Sequence, residues 1–177
     1  MFAVARASDA EDVAVPIGLQ AELTAKVASY DKNFAERAGE RAQIAILVRG
    51  GNADSERAAA HMQSALGALP LVGGLPHDEH VLAWGGGGAL AAFVKARRIA
   101  IVYVTPGFAA DVAEIRGALD GLDVMSVAAV PEYVPKGIVL GFDLVSGKPK
   151  LLVNLTQGKR QKVAFKAEVL KMMKVYE

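Results

Sequence analysis

The chain contains no cysteine, which excludes disulfides, thiolate metal sites and cysteine nucleophiles. That absence does not distinguish cytosol from periplasm. Aromatic residues are scarce, with one Trp, four Tyr and six Phe, and none interleave with basic residues to make a stacking platform for bases. No run approaches the roughly 20 apolar residues of a bilayer-spanning helix, so no membrane span is expected. There is no G-x-S-x-G elbow, and three histidines are the whole stock for a serine–histidine relay. No acid sits in an obviously apolar stretch, and nothing repeats internally. Catalysis is left without a visible centre, which places an enzyme behind a binding or contact protein.

What is present suits a globular fold. Over 177 residues the chain is 53% hydrophobic and 22% charged, with a formal net charge of +1, enough for one domain with a sizeable core. We expect that domain over residues 16–177. Residues 1–15 stand apart: Met1 to Ser8 holds small residues in an A-x-A pattern twice, yet its apolar stretch is shorter than the about 7–15 residues of a secretory core. The opening reads either as the remnant of a trimmed signal peptide or as a disordered tail. Charge is uneven, because residues 136–177 carry 9 basic and 3 acidic side chains. Without a binding motif, that basic third reads as a solvated face and points away from nucleic acid.

Periodicity predicts alternating helices and strands. Leu23, Val27, Tyr30 and Phe34 form one face of a helix over about residues 17–38, with Gly39 as its stop. Gln43 to Val48 is a buried strand closed by Gly50-Gly51-Asn52. Asn52 or Asp54 caps a helix carrying Ala58, Met62, Ala65 and Leu69. Short strands are expected around Leu71-Val72 and Val81-Leu82, followed by a helix over Ala89 to Val94 and a second apolar strand, Ile99 to Val104. A stripe of Phe108, Val112, Ile115 and Leu119 and a third strand, Asp123 to Val127, complete the alternation. Lys136 to Leu144 and Lys150 to Leu155 then read as an antiparallel hairpin around Ser146-Gly147-Lys148-Pro149. The last 20 residues, with Val163, Phe165, Val169 and Leu170 among lysines, read as a terminal amphipathic helix. The expected architecture is a three-layer αβα fold whose sheet is largely parallel and ends in that hairpin.

Three sets of residues could carry chemistry. Gly85 to Gly88 precede a helix, but no Lys-Ser/Thr pair and no long strand accompany them, so a flexible loop is favoured over a phosphate cradle. His77-Asp78-Glu79-His80 places two imidazoles beside two carboxylates, a workable set for a metal-dependent hydrolase only if a distant ligand such as His61 joins them. No metal and no cofactor are expected. In open α/β sheets ligands lie beyond the carboxyl ends of the strands, here Gly50, Gly51 and Asn52 after one strand and Thr105, Pro106, Gly107 and Phe108 after another. Those two turns are the candidate cleft of a small-molecule binder.

From Tyr133 the order Tyr133-Val134-Pro135-Lys136-Gly137-Ile138-Val139-Leu140, a hairpin, Leu152-Val153-Asn154-Leu155, then Val163, Phe165 and Val169-Leu170 resembles the C-terminal signature of the YfiR-like family. Lys26 to Tyr30 with Phe34 looks like that family's first helix, and Ile99 to Val104 and Val124 to Val127 fall where its later core strands lie. The resemblance implies a small exported periplasmic α/β protein. It also implies a non-enzymatic role by protein–protein contact, as a regulator in cyclic-di-GMP or envelope signalling. The implied partner is the periplasmic portion of an inner-membrane signalling protein, and a second copy of the chain is a further candidate. Two departures stand out: a single Gly137 where the family type has a pair, and the lack of cysteines, which removes the disulfide-based redox control implied for that type.

Overall fold

Aliphatic, partly β-branched runs become fully buried central strands in the computed structural model, which describes residues 11–177. Ala42–Val48 forms β1 and Ile99–Val104 forms β3, both covered on both faces as such runs require. They pair in parallel, with β2 (His77–Ala83) on the outer side of β1 and β4 (Met125–Ala128) on the outer side of β3. β5 (Leu140–Val145) joins β4 in parallel, β6 (Lys148–Asn154) returns antiparallel, and β7 (Met173–Tyr176) runs parallel to β6. The sheet order is β2-β1-β3-β4-β5-β6-β7. The order in which strands are added therefore reverses between β1 and β3, the place where doubly wound folds open a ligand crevice.

Helices cover the parallel part. α1 (Ile17–Ala28) packs on α3 (Ala53–Gly67), and α4 (Gly87–Arg97) packs on α5 (Val112–Leu119). Right-handed crossovers to opposite sides of β1 place α3 and α4 on opposite faces of the sheet. α3 starts as its sequence predicts: the Asn52 side chain accepts a 3.0 Å bond from the Ser55 amide, and Asp54 and Glu56 occupy the first turn, where acids complement the helix dipole. The hairpin turn also follows expectation, since Ser146 and Gly147 have φ of 52° and 73°, the pair of positive angles a two-residue type I′ turn demands.

Four expectations need correction. The helix over residues 17–38 is two helices, α1 and α2 (Phe34–Ala38). Asp31 interrupts it, because its buried carboxylate accepts from the Asn33 and Ala164 amides and pairs with Arg37 at 2.6 Å. Phe108 lies ahead of α5, not on its stripe. The hairpin's first strand begins at Leu140 rather than Lys136, since a 3-10 turn at Pro131–Tyr133 and a Gly137 with φ of 122° fold the intervening chain. A Cβ on Gly137 would collide with the Arg116 side chain.

The expected terminal amphipathic helix is the largest departure. The segment forms α6 (Leu155–Arg160), a single turn α7 (Ala167–Leu170) and then β7. Its backbone is worth more paired than helical: Met173 to Tyr176 bonds to Leu151 through Asn154 and covers what would otherwise be the open edge of β6. Residues 1–10 of the expected tail lie outside the described residues. Glu11 to Val15 are held against the domain, with Val15 fully buried.

Candidate functional site

The two candidate turns meet directly. Thr105 is buried at the end of β3, donating to the Leu47 carbonyl at 2.6 Å and sharing a 2.7 Å hydroxyl contact with Ser55. Ser55 in turn accepts from the Arg49 amide at 2.8 Å. Gly107 has φ of 102°, and a Cβ there would lie 2.9 Å from the Asn52 Nδ2, so only glycine allows the turn after β3 to close on the turn after β1. Asn52, Thr105, Gly107 and Phe108 thus come together at the switch point. Gly50 and Gly51 have open space where a side chain would project, and Glu56 accepts from the Gly51 amide at 3.1 Å. Pro106 faces another way, into a cleft of about 410 Å³ lined also by Glu11, Val13, Ile17, Arg57 and His61. Contact fills the space between the two turns, and the open volume lies beside them, between the segment leading into α1 and α3.

Residues missing from the sequence-based candidates complete the site. Arg49, directly after β1, donates from Nε to the Gly107 carbonyl at 2.6 Å, pairs with Asp111 and lies 4.8 Å above the ring of Phe108. Trp84, directly after β2, meets Phe108 edge-to-face at 5.7 Å. Three strand ends therefore converge on one buried phenyl ring, an arrangement worth roughly 0.5–1.5 kcal/mol beyond area burial for an aromatic pair. Position at a strand's carboxyl end was the available signal for Arg49 and for the sole tryptophan.

No local signal marks the remaining pair, Glu11 and Tyr133, separated by 122 residues. The Glu11 carboxylate accepts from the Gly107 amide, from the Ala109 amide at 2.8 Å and from the Tyr133 hydroxyl. Tyr133 is almost fully buried, and its oxygen also accepts from the Phe108 amide at 2.9 Å. Burial first, and then the bond to Glu11, push the Tyr133 hydroxyl well above the usual phenol range, so it stays a proton donor. Two amides of the turn after β3 and the Tyr133 hydroxyl together form a carboxylate clamp.

The histidine cluster does not converge. It lies on β2, where alternation sends His77 and Glu79 to one face and Asp78 and His80 to the other. His77 contacts Glu79 and the Leu69 carbonyl, while Arg41 and Gln43 hold Asp78, whose carboxyl falls to about 2, chiefly through the Arg41 hydrogen bond. Gln43 also meets His80 at 2.6 Å. Among the described residues no group of three or more His, Asp or Glu is arranged to hold a metal ion. At the glycine run, Glu114 accepts from the Gly87 amide at 3.0 Å, so a carboxylate of the same chain faces the start of α4.

A mostly parallel sheet with its polar groups collected outside the β1 and β3 ends defines a substrate-binding-protein-like α/β fold. The chain belongs to the YfiR/HmsC-like family, whose model matches residues 18–174. That family is periplasmic in general, and among the described residues no helix is long and apolar enough to cross a membrane. No curated protein matches the chain. Similar solved structures include an ABC domain in complex with L-Trp from Streptococcus pneumoniae (TM-score 0.64, 11% identity, covering 92% of this chain and 62% of that one). A conserved domain protein from Vibrio cholerae has a TM-score of 0.63 at 12% identity, covering 92% and 60% of the two chains. A ligand-free, open substrate binding protein with adhesive properties from Clostridium difficile has a TM-score of 0.63 at 12% identity, covering 94% and 61%. The chain spans about three fifths of the length of these structures, and at such identities the likeness concerns the fold.

Proposed function

We propose that this protein is a non-enzymatic periplasmic module that works by contact with another protein, as a regulator in cyclic-di-GMP or envelope signalling. The partner is the periplasmic portion of an inner-membrane signalling protein. The observation that carries the reading is the family match, which runs through almost every element of the sheet. The surface is in keeping with it. Leu144, Val145 and Met172 are exposed at the hairpin end of β5, β6 and β7, among Lys148, Lys150 and Lys171, a mixture of apolar and cationic groups suited to an acidic partner. Photo-crosslinkers placed at Val145 and at Met172 in living cells test it, with His61 as the control position. An inner-membrane protein captured from the first two sites only, together with altered cyclic-di-GMP on deletion, is the expected result. Capture of nothing from either site and an unchanged nucleotide level would overturn the reading.

A second reading, a small-molecule binder, is favoured by the carboxylate clamp beside the 410 Å³ cleft. Thermal-shift screening against amino acids, nucleotides and cyclic-di-GMP tests it, because a ligand at a hundredfold excess over its Kd stabilises the fold by about 2.7 kcal/mol.

A further inference from the structure

Glu11 sits where a ligand's carboxylate would. Its side chain reaches the turn after β3 from a segment without helix or strand, four residues ahead of the buried Val15. The groups it engages belong to the body of the domain: two backbone amides on a glycine-shaped turn and one phenol, almost completely buried, whose hydroxyl points at the site. Glu11 is the only acceptor for that hydroxyl proton among the described residues. Without Glu11, the Tyr133 hydroxyl and the Gly107 and Ala109 amides would lose the one carboxylate they share, beside the cleft that Glu11 helps to line. A buried donor left unmatched costs about 1–3 kcal/mol, so the vacated turn favours another anion with two in-plane oxygens.

We infer that the turn after β3 is a carboxylate-binding site which the chain's own Glu11 fills, and that a small monocarboxylate from solution takes the place of that side chain. The inference rests on the small-molecule reading and gives it a ligand class. Tethering sets the terms of the competition. A side chain held a few residues from its anchor has an effective concentration on the order of millimolar, so free carboxylates meet a nearly closed site in the intact chain and an open one once Glu11 is gone. Phe108, Trp84 and Arg49 form the rigid floor that keeps the amides in position.

Acetate is the probe, titrated into the full chain and followed by the backbone amide resonances of Gly107 and Ala109. In Glu11→Ala these two resonances should move with an apparent Kd at least tenfold below that of the unaltered protein. Chloride at equal ionic strength should leave them in place, and adding Tyr133→Phe should weaken acetate at least fivefold. Glu11→Gln, which keeps the side chain's length and gives up its charge, serves as the second variant if the alanine variant loses a dispersed spectrum. Amides that stay still in both variants, or that chloride moves equally, would overturn the inference. A solute screen that finds no larger ligand while acetate still shifts Gly107 and Ala109 removes the small-molecule function and supports the site.

Discussion

The parallel half of the sheet and its antiparallel extension are built on different terms. β1, β3 and β4 are buried along nearly their whole length, between layers of helices. β5 and β6 are buried only where they adjoin β4 and the 3-10 turn, and their hairpin end projects into solvent with Leu144 and Val145 exposed. Continuous apolar sequence is needed where two faces are covered, and alternation suffices where one is. The half with the covered strands carries the polar clamp at its switch point, whereas the extension carries cationic and apolar groups. One chain thus offers two surfaces of unlike chemistry, one suited to a small anion and one to another protein.

The tie between these halves should be the costliest thing to cut. Arg37 pairs with the fully buried Asp31, bonds Asp123 at 2.7 Å and reaches the Lys162 carbonyl at 3.0 Å, linking α2 to the C-terminal segment. Arg37→Ala leaves a buried carboxylate without its cation and is expected to lower stability by about 3–5 kcal/mol in urea unfolding. Next in size, Leu47→Ala in the middle of β1 should cost about 2–5 kcal/mol, while Leu144→Ala near the hairpin end should stay within about 0.5 kcal/mol. Equal effects would erase the contrast between the two regions.

Each half also has an asparagine that opens a helix, and these sharpen the comparison. Asn52 caps α3 through one bond to Ser55, while Asn154 caps α6 at 3.0 Å and donates at 2.9 Å to the buried end of the Val134 loop. Asn52→Ala should cost about 1 kcal/mol and Asn154→Ala about 2 kcal/mol, the difference being the second, buried bond that Asn154 makes to the Val134 carbonyl. The smallest effect concerns acid. The Asp78 carboxyl, held at about 2 by the Arg41 hydrogen bond, lies below its unfolded value of roughly 3.9. Its contribution is present above that unfolded value and disappears as pH falls through the folded one. Urea midpoints of the unaltered protein and Asp78→Asn should therefore differ most above pH 4 and converge towards pH 2, by a small margin because both partners are exposed.

Much of the parallel half was legible because its signals are local: the apolar runs of β1 and β3, the Asn52 cap and the Ser146-Gly147 turn each follow from adjacent residues. The break at Asp31 and the strand β7 were not, since both depend on chain segments more than a hundred, or about twenty, residues away. Yet Met173-Lys174-Val175-Tyr176 alternates with a period of two, which a helix of that length would not need. The candidate turns were legible as neighbours at the switch point, from topology alone. The clamp was not, because Glu11 and Tyr133 meet only through the fold. Gly137 and Asn154, prominent in the family resemblance, serve architecture: the first makes room for Arg116 and the second starts α6.

The outer flank of β2 has a consequence for crowding. Asp78, exposed and paired with the exposed Arg41, lies on a strand whose free backbone groups would otherwise invite another chain, and docking there would strip water from both charges. The opposite flank, β7, is only four residues long and carries the exposed Lys174 beside Val175. Both margins of the ribbon thus carry charge, so lengthening it by strand pairing would strip water from a charged group at either end.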